Sequence, residues 1–289
     1  HRVQVFPSIH EPHPTDKGVP MEMTHTRQFL LTPPQDLPQA QPWGLPLVYL
    51  SGQLGPTGQF TAAPLPPEVR GGLLLVGVSE APQPGADPKH AAQAILTLCR
   101  ARRFGGAVLD VDCPPTPYLA RLIRLLDEGL SPSGGWLYLP EAYGAYSKRA
   151  LLYCTAAVSG GSLRHRLEEL IARWGKHRLV LCLRRTREDF FLPAPTGCGK
   201  PLTPEALAAL RRQFEPNVFY SRDLCAHYFT YMSRSTGAHF VLFDDAESLR
   251  QKRALAQEVG IRQFFLLYPE VADLLPALLG SSDAKTPCP

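Results

Sequence analysis

Residues 73–112 read LLLVGVSEAPQPGADPKHAAQAILTLCRARRFGGAVLDVD. The stretch opens on an unbroken apolar run, Leu73 to Val78, and passes through Pro82, Pro84 and Gly85. It then carries apolar residues at helical spacing (Ala91, Ala94, Ile95, Leu98), turns at Gly105 and Gly106, and enters a second apolar run from Ala107 to Val111. A run of strand length that is apolar at nearly every position suits a strand buried on both faces, as in a parallel sheet covered by helices.

The same alternation extends outward in both directions. Further runs of strand length are Leu47–Leu50, Trp136–Leu139, Leu151–Cys154, Leu179–Leu183, Phe240–Phe243 and Phe264–Tyr268. Helical periodicity fills 117–130 (Leu119, Leu122, Ile123, Leu126) and 162–174 (Leu163, Leu167, Leu170, Ile171), with Gly175 as a C-cap. Thr203-Pro204-Glu205 reads as an N-cap, a Pro at N1 and an early acid, and Asp244 or Asp245 caps a helix that runs from Ala246 to Gly260. Eight runs separated by helices predict an α/β fold of the TIM-type (β/α)8 barrel kind, with a doubly wound open sheet as the alternative. Two segments make the count soft. Val3–Phe6 could add a first strand. Tyr228–Met232, a turn over 233–238 and Phe240–Phe243 read as a hairpin, which would take Phe240–Phe243 out of a barrel.

The chain has 289 residues, so the expectation is one barrel domain spanning it, with a Pro-rich N-terminal region over about 1–45 and a short tail at 281–289. The 30 prolines are read as rigid connecting loops, since Pro fixes φ and removes a donor. A net charge of +4 with scattered basic residues gives no footprint for nucleic acid, and no apolar run is long enough to span a membrane. Seven cysteines without a CxxC spacing argue against a disulfide framework or zinc site, no motif calls for a cofactor, and free thiols lean towards the cytoplasm. The chain starts at His1, so a removed leader stays open.

In parallel α/β folds the site lies at the carboxyl ends of the strands, so the residues closing each run are the candidates. Asp110 and Asp112 are the sharpest pair. Two apart on one strand, they share a face, while Leu109 and Val111 face the helices. Two carboxylates in a confined mouth repel, so one should have a raised pKa and could serve as a general acid. Glu141 follows the run ending at Pro140 and is the best second carboxylate. Tyr143 and Tyr268 follow strand ends and could stack on sugar rings. Arg184 and Arg185 close another run and would suit a phosphorylated metabolite. His227 and His239 lack metal-ligand spacing.

Two segments carry a resemblance. Residues 104–112 read FGGAVLDVD and residues 243–252 read FDDAESLRQK. They resemble the F-D-G-x-D-x-D-x-E strand and the late Y-D-D-x-x-S-x-x-x-K segment of family-18 glycoside hydrolases, the chitinase-type barrels. Aligned on Phe104 and Gly106, Asp110 stands at the third Asp and Asp112 at the catalytic Glu, while Gly105 and Val108 replace the first two Asp residues. The late match runs through Asp244, Asp245, Ser248 and Lys252, and Tyr268 stands where that family has a Trp flooring a sugar subsite. The resemblance implies a glycoside hydrolase-like barrel that acts on or binds an N-acetylhexosamine-type oligosaccharide or polysaccharide. It implies Asp112 as acid, Asp110 as its electrostatic partner, and Glu141, Tyr143, Tyr268 and Arg184 as substrate contacts. The motif is altered: Asp112 is one methylene shorter than Glu, about 1.5 Å by bond lengths, and Leu181–Arg185 stands in the place of that family's M-x-Y-D segment. The alternative is a glycan-binding or scaffold protein that has lost hydrolysis.

Overall fold

The computed structural model describes residues 25–158, 160–193 and 199–280, so Val3–Phe6 lies outside the described residues. In chain order the first strands are β1 (Arg27–Thr32), β2 (Leu47–Leu54), β3 (Phe60–Ala62), β4 (Leu73–Val78), β5 (Gly106–Val111), β6 (Trp136–Pro140), β7 (Leu151–Thr155) and β8 (Leu179–Cys182). An insertion then contributes β9 (Arg187–Phe191), β10 (Lys200–Pro201), β11 (Phe219–Ser221), β12 (Ala226–Ser233) and β13 (Gly237–Phe243), and β14 (Gln263–Leu267) follows it. The helices are α1 (Leu37–Ala40), α2 (Pro88–Arg102), α3 (Pro117–Leu130), α4 (Leu163–Trp174), α5 (Pro204–Phe214), α6 (Ala246–Glu258), α7 (Tyr268–Val271) and α8 (Leu275–Leu279).

Eight of the strands run parallel in the order β1-β14-β8-β7-β6-β5-β4-β2, and β1 also pairs with β2, Leu30 opposite Leu47. The sheet is therefore closed, and the fold is a (β/α)8 barrel, not an open doubly wound sheet. Seven of the eight apolar runs are barrel strands. The eighth barrel strand is Arg27–Thr32, inside the segment expected to be only Pro-rich loop. Its polar start and the prolines at 33 and 34 hide a strand whose Leu30 is fully buried. Phe240–Phe243 belongs instead to β13, paired antiparallel with β12 (Tyr228 opposite Leu242, Thr230 opposite Phe240), as the hairpin reading expects. The insertion's sheet has the order β10-β9-β13-β12-β11 and lies between β8 and β14 in the chain.

Strand alternation divides the apolar residues into two layers. Phe29, Val48, Leu75, Val108, Tyr138 and Phe265 fill the barrel interior. Leu30, Leu74, Leu109, Leu152, Leu181 and Leu266 form the outer layer, against the helices. Side-chain caps set the starts of the longer helices: Asp87, Thr116, Ser162, Thr203 and Asp245 each accept a backbone N–H of the first turn. Such a cap contributes about 0.5–2 kcal/mol. Gly106 opens β5 because a Cβ there would sit 1.9 Å from the Trp136 carbonyl oxygen, so no other residue fits.

The late motif is a buried ion pair. Lys252 Nζ lies 2.8 and 2.7 Å from the two Asp244 carboxylate oxygens, and both residues are at most 2% exposed. The Ser248 hydroxyl and the Thr186 N–H also donate to Asp244, and the Asp244 N–H donates to the Thr186 carbonyl. Removing one member of such a pair strands the other charge, which costs about 3–5 kcal/mol. Lys252→Met is expected to lower unfolding free energy by about that amount in urea titration. Asp244→Asn combined with Lys252→Met should recover part of the loss.

Candidate functional site

A cavity of about 450 Å³ opens at the carboxyl end of the barrel strands. Its apolar wall comes from Leu31, Leu50, Leu75, Val108, Phe265 and Leu267, the inward positions of four neighbouring strands and of β5. Its polar groups are Asp110, Glu141, Tyr153, Thr155, Arg166 and Arg184.

Asp110 reaches the cavity because it continues the inward register of Val108 on β5. The Tyr153 hydroxyl on β7 lies 3.1 Å from Asp110 Oδ1 and 3.0 Å from the Leu109 carbonyl oxygen, so its one proton is shared between two acceptors. Although Asp110 keeps contact with solvent, desolvation raises its pKa above the usual carboxylate value. The Tyr153 hydrogen bond opposes this, the Asp112 charge adds to it, and Arg184 opposes it. Burial, and then the charge of Asp110, hold the Tyr153 phenol protonated far above neutral pH. Burial likewise pushes the Cys154 thiol up to about 12, so it is no thiolate nucleophile.

Glu141, in the turn after β6, pairs through Oε1 with Arg166 from α4, while its buried Oε2 has no partner among the described residues. Arg184 is engaged by Glu270 through a fork of Nε and Nη2 bonds. Arg185 donates to Asp273 at 2.7 Å and to the Glu270 carbonyl at 3.1 Å. The two arginines read as an anion clamp are thus each held by an internal carboxylate.

Three expected site residues lie elsewhere. β5 ends at Val111, and the Asp112 N–H is taken by the Val78 carbonyl. Asp112 is exposed past the strand end, is not among the cavity wall residues, and reaches Asp110 only through its charge. Tyr143 is 3% exposed, packs on Tyr146 and donates to the Cys113 carbonyl, so it is a core residue. Tyr268 opens α7 and packs into the outer layer. Phe265 and Leu267 take the inward positions of β14, and Tyr268 falls one residue out of that register. Tyr153 and Arg166 were not anticipated. The period-two rule that singles out Asp110 also applies to Leu151, Tyr153 and Thr155, so Tyr153 could have been found. Arg166 has no local signal, because only the packing of α4 brings it to Glu141.

No protein-family model and no curated protein sequence matches the chain. Solved structures do match. The chitinase of Chromobacterium violaceum superposes with a TM-score of 0.62 at 13% identity, over 90% of this chain and 99% of that one. The spore cortex-lytic enzyme SleL of Bacillus cereus gives 0.62 at 17%, over 88% and 74%. The GH18 chitinase of Cycas revoluta, solved with (GlcNAc)3, gives 0.58 at 15%, over 87% and 98%. The likeness is one of fold: the chain has a (β/α)8 barrel similar to those of these three structures.

The raised pKa of Asp110 has a definite sign. The folded state holds this proton more tightly than the unfolded chain, so the contribution favours folding at low pH and is lost as pH rises through the folded pKa. Asp110→Asn is expected to raise Tm at about pH 7, with the gain vanishing near pH 3, below the usual carboxylate value. Thermal melts of both proteins across that range check it, and an unchanged gain at low pH would contradict it.

Proposed function

We propose that the barrel mouth binds an N-acetylhexosamine-type glycan and that hydrolysis there is weak or absent. The observation that supports this is a mouth that keeps the requirements of binding but not of the family's acid chemistry. A cavity of about 450 Å³ with an apolar wall and convergent polar groups is retained, while Asp112, in the acid's place, lies outside its wall. A general acid supplies roughly 10² to 10⁴ in rate only within hydrogen-bond reach of the leaving oxygen. The fold's likeness to a chitinase solved with (GlcNAc)3 points to the same ligand class.

One observation favours a second reading. Asp110 is pushed towards its protonated form by burial, and a second carboxyl group, Glu141, stands in the same wall. A carboxyl group kept protonated by its surroundings is suited to the acid role. In that reading Asp110 would donate to the leaving oxygen.

Assay on a panel of chito-oligosaccharides, with binding measured in parallel, separates the readings. Binding with little or no turnover is expected, and Asp112→Asn should change neither. Turnover that falls at least a hundredfold in Asp110→Asn, yet survives Asp112→Asn, would establish the second reading. Absence of binding to any glycan would discard both.

A further inference from the structure

A second cavity, of about 360 Å³, adjoins the mouth and shares Thr155, Ala157 and Arg184 with it. Its remaining wall comes from Arg185 and Thr186, which link β8 to the insertion's sheet, from Arg187 and Glu188, which open β9, and from Pro201, Leu202 and Glu270. We infer that this cavity is an anion subsite, with Arg187 as its charge, that takes an acidic substituent, a carboxylate or phosphate group, carried by the glycan in the mouth. The inference rests on the glycan reading for what enters the mouth, and on the following geometry for the rest.

The charges of the wall are not all paired. Glu270 engages Arg184 and Asp273 engages Arg185, which leaves the Arg187 side chain with no hydrogen bond or ion pair to any described residue. Glu188 also lines the cavity but forms no ion pair with it. Arg187 is partly buried, and its pKa is lowered first by desolvation and then by repulsion from Arg185. The more distant Glu270, Asp273 and Glu205 offset this only in part. A half-desolvated cation beside a second cation is unfavourable to hold without an anion.

Two further polar groups of the same wall are unmatched. Thr186 is 7% exposed and its Oγ1 has no hydrogen-bond partner, and neither has Arg185 Nε. Unused donors next to an unpaired guanidinium are the complement of an acceptor-only oxyanion. The wall segment is held in place from behind, since both backbone polar groups of Thr186 are fixed by Asp244. Local rules of charge pairing and polar satisfaction are therefore broken at three consecutive residues on a rigid support, as at a site built for a ligand. The cavity lies beside the mouth, with Thr155, Ala157 and Arg184 in the wall of both.

The test compares two tetrasaccharides of equal length by calorimetry. One is the uncharged N-acetylglucosamine tetramer, and the other carries a 3-O-lactyl carboxylate on alternate residues. Inorganic phosphate is titrated as a third ligand, and each titration is repeated with Arg187→Gln. The acidic tetramer is expected to bind at least about tenfold tighter, the size of one charge-assisted contact. The advantage should shrink with added salt and disappear in Arg187→Gln, whose Tm should equal or exceed that of the parent. Equal affinity for the two tetramers, or a preference that survives the substitution, would overturn the anion subsite and leave the glycan reading standing. If neither tetramer binds but phosphate does, and only with Arg187 present, the subsite holds and the glycan reading fails. Binding of none of the three overturns both.

Discussion

The ion pair between Asp244 and Lys252 is the constraint on which the rim of the barrel depends. Both charges are out of water, a costly arrangement unless hydrogen bonds compensate. Each carboxylate oxygen accepts two: Oδ1 from Ser248 and Lys252, and Oδ2 from Thr186 and Lys252. The consequence is geometric. Asp244 closes the insertion's return strand, Lys252 sits on α6, and Thr186 lies between β8 and β9. One carboxylate thus fixes where the chain leaves the barrel, where it comes back, and where Arg184, Arg185 and Arg187 stand relative to the mouth.

How much of this was legible in the sequence depended on whether the signal was local. Parallel strands buried on both faces show as apolar runs, and Leu73–Val78 or Leu179–Cys182 could be read directly. Arg27–Thr32 could not, because it starts with two polar residues and is followed by Pro33 and Pro34. Only its pairing with both β14 and β2 makes it a strand. Asp110 was legible from alternation with Val108, and the hairpin from two β-rich runs around a turn. The positions of Asp112, Tyr143 and Tyr268 were not legible, for a common reason. Each lies at or just past a strand end, where the period-two rule stops and the exit direction of the loop or helix decides where the side chain goes.

That last residue of register shapes the chemistry of the mouth. On β14, Phe265 and Leu267 face in, and Tyr268 has passed into a helix. On β1, β2 and β4 the inward residues are Leu31, Leu50 and Leu75. The floor is thus aliphatic with one deeply set phenyl ring, 2% exposed. It excludes water and provides dispersion, but it offers no broad aromatic face for a sugar ring to stack on. Orientation and specificity of a ligand must therefore come from the polar rim.

The rim is unequal in what it still has to offer. The guanidinium groups of Arg166 and Arg184 are already engaged by Glu141 and Glu270, so a ligand seeking them would have to displace an internal carboxylate. Free capacity in the mouth lies on the acceptor side, at the buried Oε2 of Glu141 and on the carboxylate of Asp110, to which Tyr153 gives only a shared proton. Ionised carboxylates accept and cannot donate. A ligand that matches the mouth must bring its own donors, as the hydroxyl and amide groups of a sugar do. A phosphate or carboxylate placed there would face two carboxyl groups, Asp110 and Glu141. A guanidinium without a side-chain partner lies one cavity away, at Arg187. The two halves of the rim therefore ask for opposite things, donors in the mouth and an acceptor beside it.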